Sequence, residues 1–174
     1  MALIKHRKLA HDSWLLLEPR ADVPLTIPES GDVIVPLAAW RASRDEIIAR
    51  QGRCGVWLSG DEDPADVAAD SGKLDLIAVR FTSFTDGRGY SIGRLLRQRY
   101  GWTGELRAFG DVQRDQLYYL TRCGFDSFAL RPGEDVATAL QAFNDFTEAY
   151  QTSVDRPVPL FRRRETAGGA HDAG

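Results

Sequence analysis

Five short apolar stretches, at 33–35, 54–58, 76–81, 105–109 and 127–130, recur along the chain mostly about 22 residues apart, and a segment of helical character follows each one. Each stretch is too short for a helix. Apart from 105–109, which carries Glu105 and Arg107, their near-continuous apolar character is that of strands buried on both faces rather than of a half-exposed hairpin. The interval leaves room for the crossover helix that a parallel pair requires. The expected fold class is therefore α/β: a single layered domain of parallel strands with helical crossovers, or a partial (β/α) barrel.

The intervening segments carry helix punctuation. Leu37, Trp40, Ile47 and Ile48 lie near one face of a helix over 37–50. Asp63 stands as an N-cap before Pro64, opening a short helix that ends near Ser71 and Gly72. Over 91–100, Ile92, Leu95, Leu96 and Tyr100 share a side, and Gly101 supplies the stop. Asp111 is the expected N-cap of a helix over 112–123 closed by Gly124, and Asp135 that of a last helix carrying Val136, Leu140, Phe143 and Phe146. Ahead of these units, a strand over 14–17 precedes Pro19, Pro24 and Pro28, which forbid a long helix. This organisation reads as an N-terminal arm over 1–30, an α/β domain over 31–161 and a flexible tail over 162–174.

Composition narrows the classes of function. A chain of 174 residues can bury a core without staples, and 22 basic against 25 acidic side chains give a net charge of -3, which argues against nucleic acid as a partner. Apolar runs fall far short of the ~20 residues of a membrane span, and residues 1–14 mix charged and apolar positions unlike an export signal. Cys54 and Cys123 fit no metal or cluster spacing. A cytoplasmic protein with reduced thiols is expected. His6, His11 and His171 all lie near the termini, and neither a metal-histidine cluster nor a Ser-His-Asp arrangement is evident, so no metal or cofactor is assigned.

In such folds ligands bind beyond the carboxyl ends of the strands, which selects the loops 59–63, 80–91 and 107–116. The candidate ligand-binding residues there are Arg80, Asp86, Gly87, Arg88, Gly89, Tyr90, Ser91, Arg107, Asp111, Asp115 and Gln116. Gly87 and Gly89 permit close backbone approach, Ser91 lies at a helix start, and Arg88 offers a guanidinium fork, which together suit a phosphate, sulfate or carboxylate. A plain turn with Asp86 or Ser91 as a cap is the competing reading. The spacing G-x-G-x-x-x-G departs from the dinucleotide fingerprint. Arg80 and Arg107 sit in apolar strands, where an unpaired guanidinium is costly, so each either pairs with Asp86, Asp111 or Asp115 or walls an anion pocket. The Asp61-Glu62-Asp63 loop reads as an acidic turn with a cap, or as a Mg²⁺ site.

The block FTDGRGYSIGRLLRQRYGWTGELRAFGDVQRDQLYYLTRCGFDSF, over 84–128, resembles the bacterial family known as domain of unknown function 934. Members are usually encoded beside sulfite reductase and often labelled probable oxidoreductases of sulfite reduction. The resemblance implies a cytoplasmic protein of sulfur assimilation and supplies no catalytic residues. Two functions are expected from it: an accessory module that binds sulfite reductase or its electron donor and a small anionic metabolite, or a small enzyme acting on sulfite or a sulfated or phosphorylated metabolite through its arginines and carboxylates.

Overall fold

The computed structural model describes residues 2–144 and Val154. Its core is an eight-stranded sheet with mostly parallel strands, curled into a half-barrel with helices between the strands. The five expected units appear as β4 (Val33–Pro36), β5 (Cys54–Leu58), β6 (Leu76–Phe81), β7 (Glu105–Gly110) and β8 (Ser127–Ala129). They lie side by side in chain order and pair in parallel. Because each crossover steps to the next position in the same direction with the same hand, the helices gather on one face of the sheet.

Two clusters of buried side chains follow from that winding. On the helix side, Val35, Val56, Leu58, Ile77, Val79, Leu106, Ala108 and Phe128 meet Trp40 and Ile47 of α1 (Leu37–Ala49), Val67 of α2 (Ala65–Ala68) and Ile92 and Leu96 of α3 (Arg88–Gln98). Leu117 and Leu120 of α4 (Leu117–Arg122) and Ala139 of α5 (Val136–Gln141) complete it. On the concave side Ile34, Trp57, Leu76, Ala78, Phe109 and Ala129 form a second cluster. Among the described residues no helix lies over that face, and Ala10, Trp14 and Leu16 pack on it.

The residues ahead of β4 build more than one strand. Leu3–Lys5 (β1) and Lys8–Ala10 (β2) make an antiparallel hairpin whose first strand pairs with β8, and Leu15–Leu16 (β3) pairs with β4 at the opposite edge. His6 and Arg7 both take positive φ, 49° and 61°, in the two-residue turn between β1 and β2, the backbone that matches strand twist. No helix among the described residues is long and apolar enough to cross a membrane.

Two expected helix starts need correction. α3 begins at Arg88 rather than at 91, so Gly87 is the flanking residue and Ser91 lies inside the helix. Asp111 does not cap the segment that follows β7. Gln113 does so, in a reciprocal pair of hydrogen bonds with Gln116, before a single 3₁₀ turn (Arg114–Gln116) that leads into α4. By contrast, Asp135 caps α5 as expected, accepting from the Thr138 N–H. Phe146 and the tail over 162–174 lie outside the described residues.

Candidate functional site

The carboxyl ends of β5, β6 and β7 are adjacent, so the three loops selected from the sequence share one rim of the half-barrel. Loops 59–63 and 80–91 meet at Gly60: a Cβ there would lie 3.2 Å from Arg88 Nε and 3.3 Å from Asp86 Oδ2. Loops 80–91 and 107–116 meet where the Asp111 N–H donates to the Phe81 carbonyl at 2.8 Å. Gly110, at φ +98°, makes this turn, and a Cβ would stand 2.3 Å from that same carbonyl oxygen.

At the centre of the rim, Arg88 donates through Nε and Nη2 to the two oxygens of Asp86 at 2.9 and 2.8 Å, and its own N–H also reaches Oδ1. Thr82 donates to Asp86 Oδ2 as well. These bonds, the Arg88 side chain first among them, hold the Asp86 carboxyl well below the usual carboxylate range. Asp86 is thus a fixed anion and a poor proton carrier near neutrality. The Arg88 side chain is 60% exposed. Asp86, Gly87 and Arg88 therefore form a local Asx-type turn whose outward face is open to solvent.

The neighbouring candidates form a second group. Tyr90 accepts a hydrogen bond from Gln116 Nε2 at 3.1 Å, stacks edge-on against Phe81 and packs against Tyr119. Burial pushes the Tyr90 phenol upward, and Gln116 is itself buried. Gly89 gives close approach to a ring of the protein: a Cβ on it would come 2.6 Å from Phe81 Cζ. Asp111 accepts from the Gln113 side chain and from Arg131, which also bonds Glu134. Asp115 is largely exposed beside Arg114, and Ser91 is exposed on α3.

Arg80 and Arg107 do not join the rim. Both project from the concave face, and their partners are none of Asp86, Asp111 and Asp115. Arg107, 4% exposed in its side chain, donates to both oxygens of Asp12 at 3.0 and 3.1 Å and to Glu105 Oε1 at 2.8 Å. Lys5 takes the other Glu105 oxygen. Burial alone would raise the Glu105 carboxyl, yet the Lys5 bond and the Arg107 charge outweigh it and hold the carboxyl below its ordinary value. Beside Arg107 lies a cavity of about 10 Å³, lined by Asp12, Leu16, Ile34, Ala78, Phe109 and Ala129, with no more room than one water needs. Arg80 pairs with Glu18 at 3.2 Å and lies 5.7 Å above the Trp57 ring.

Asp12, Glu18, Lys5 and Glu105 were thus the partners missed in the sequence. The available signal was the pair of strand arginines, each of which requires a carboxylate. In the acidic loop, Glu62 accepts from the Ser59 N–H and Asp63 from the Ala65 N–H, both bonds closing turns. Among the described residues no group of three or more His, Cys, Asp or Glu is placed to hold a metal ion. Cys54 and Cys123 are buried, and burial pushes the Cys54 thiol up to about 11.

An open, singly wound α/β half-barrel with loops gathered at the carboxyl rim is the class of protein that these elements define. Residues 55–161 match the family described as "Bacterial protein of unknown function (DUF934)", and the chain belongs to that family. No curated protein matches the chain.

Proposed function

We propose that the protein is an accessory module of sulfite reduction, one that works by docking sulfite reductase or its electron donor rather than by turning over a metabolite. The observation that carries this reading is that the three candidate arginines pair with the chain's own carboxylates. Arg80 is engaged by Glu18, Arg88 by Asp86, and Arg107 by Asp12 and Glu105. An enzyme handling small anions keeps such groups available for the charge that develops on substrate. It also tunes a nearby carboxyl upward for proton transfer. Here the rim carboxyl Asp86 is tuned downward. The carboxyl that burial raises, Asp126, sits at the opposite ends of the strands, where it accepts from the Leu106 N–H and from Arg97.

One observation favours a small anion as an additional ligand: Arg88, though paired, remains largely exposed at the meeting of two loops. Calorimetric titration of the purified protein with sulfite, sulfate, phosphate, adenosine phosphosulfate, NADPH and FAD, alongside sedimentation with sulfite reductase, separates the readings. The accessory role predicts a complex with the reductase and no heat from the redox nucleotides. Saturable binding of a sulfated metabolite that falls about tenfold or more in Arg88→Ala, with no reductase complex, would overturn it in favour of an enzyme.

A further inference from the structure

Two of the three candidate arginines pair with carboxylates of one and the same stretch of the chain. Asp12 gives both carboxylate oxygens to Arg107, and Glu18 meets Arg80. Between them Trp14 and Leu16 pack on the concave apolar cluster. The guanidinium of Arg53 lies 4.7 Å above the Trp14 ring. Positions 12, 14, 16 and 18 alternate with the period of a strand, so one face of the stretch turns carboxylate, aromatic, aliphatic and carboxylate toward the sheet. Residues 11–18 thus fill the concave face as a bound peptide would.

The backbone attachment is short, and side-chain bonds supplement it: Asp12 holds Arg107 through both oxygens, and Ser13 donates to Asp32 and accepts from Arg53. Leu15 and Leu17 donate their N–H groups to the carbonyls of Asp32 and Ile34, and Trp57 Nε1 donates to the Leu17 carbonyl. β3 is an edge strand with its other side unpaired in the sheet. Leu15 is half exposed. The connector that follows, with Pro19, Pro24 and Pro28, contains no helix and, apart from the isolated bridges Arg20↔Val23 and Ser30↔Gln51, no strand.

We infer that residues 11–18 are a displaceable, built-in occupant of a peptide groove, and that the groove's ligand in trans is an extended acidic segment of a partner protein with the same alternation of carboxylate, aromatic, aliphatic and carboxylate side chains. The inference rests on the accessory reading and names the chemistry of the docking surface. Exchange of one such segment for another replaces carboxylate with carboxylate, so neither Arg80 nor Arg107 is left buried and unpaired when exchange is complete. The tethered segment competes at a high effective concentration, which keeps the groove closed until a partner of greater affinity arrives.

The test uses the full chain and a fluorescein-labelled synthetic peptide of residues 10–20. The double variant Asp12→Asn/Glu18→Gln weakens the tethered segment while leaving the groove intact, and circular dichroism confirms that it folds. The peptide is expected to bind this variant at least tenfold more tightly than the wild type, and a peptide carrying the same two neutral replacements is expected to bind it at least tenfold more weakly than the native peptide does. Equal binding to both proteins, or none to the folded variant, overturns the inference. Hydrogen exchange on the wild type gives a second readout: the Leu15 and Leu17 amides should exchange at least a hundredfold faster than those of Ile77 and Val79, and equal protection overturns a displaceable arm. Peptide binding without any reductase complex would overturn the accessory reading and keep the groove. A reductase complex indifferent to Asp12→Asn/Glu18→Gln, with no peptide binding, would keep the accessory reading and overturn the groove.

Discussion

Gly93 of α3 faces the ring of Phe125 so closely that a Cβ would stand 2.4 Å from Cε2, just as one on Gly89, a turn earlier, would stand 2.6 Å from Phe81 Cζ. The two rings meet edge-on at a centroid distance of 5.8 Å. The glycines of this loop and helix therefore serve the seating of α3 on the sheet. Gly89→Ala and Gly93→Ala should each destabilise the protein by about 1–3 kcal/mol, since the rings are held by other aromatic neighbours and a methyl overpacks the contact. Urea denaturation would show it as a lowered midpoint with unchanged slope.

The buried charge cluster makes a second prediction. Removing Arg107 leaves Glu105 and Asp12 without their shared cation beside the apolar cluster of the concave face. Arg107→Met, which keeps an unbranched apolar stem in place of the charge, should cost about 3 kcal/mol. Asp12→Asn retains acceptor capacity at a more exposed position and should cost about 1 kcal/mol. Thermal melts of the two variants side by side give the ranking, and equal melting temperatures would contradict the pairing.

Arg88 should behave differently. Its pair with Asp86 is open to solvent, so Arg88→Ala should leave the melting temperature within about 2 °C of wild type. Differential scanning calorimetry checks this. A much larger loss would mean that the rim turn holds the fold together, and would complicate any use of this variant as a ligand-site probe.

Acid should act through a different set of groups. Side-chain hydrogen bonds from Arg53, then its backbone N–H, hold the Asp32 carboxyl down to about 2 from an ordinary value of 3.8. A carboxyl depressed in the folded state stabilises it fully above the unfolded value, and that contribution is lost as pH falls through the folded value. Glu105, also held low, adds to the same trend below its ordinary value of 4.5. Stability measured in urea at a series of pH values should therefore decline between about pH 4.5 and 2. In Arg53→Gln the decline over the lower part of that range should be shallower.

Thiol chemistry offers a direct check on burial. Cys54 and Cys123 are both buried, and Cys54 is further protected by a raised pKa. At pH 8 the native protein should react with a thiol-specific chromophore at a small fraction of the rate seen after unfolding in guanidinium, where both thiols should react promptly.

The parallel units were legible because most of the strands are apolar enough to be buried on both faces, and each is followed by a connection long enough for a crossover helix. Cys54–Leu58 and Leu76–Phe81 appear at their expected bounds. The hairpin was not legible, because its strands have three residues each and its turn uses His6 and Arg7, side chains that rarely accept positive φ. The start of α3 was placed late because two glycines in three positions oppose a helix locally, whereas packing against Phe81 selects a residue without a Cβ there. Asp111 was an attractive cap by type, but its N–H is drawn to the Phe81 carbonyl and its carboxylate to Gln113 and Arg131. At the candidate site, the arginines were visible from their place in apolar strands. Their partners were hidden because ion pairs such as Arg107 and Asp12 join distant parts of the chain, and nothing in local pattern records them.

The winding of the sheet has a consequence for how the chain assembles. Strands β4 to β8 each pair with the next one in sequence, so the sheet can extend one unit at a time through short-range closures. The pairing of Leu3 with Ala129 is the opposite case, a closure that spans almost the whole described chain. Ile4, fully buried under α-helical cover once it is in place, has no surface to join until the strand at 127–129 exists. During synthesis residues 3–10 thus emerge early and dock late, with Leu3 and Ile4 exposed in the interval.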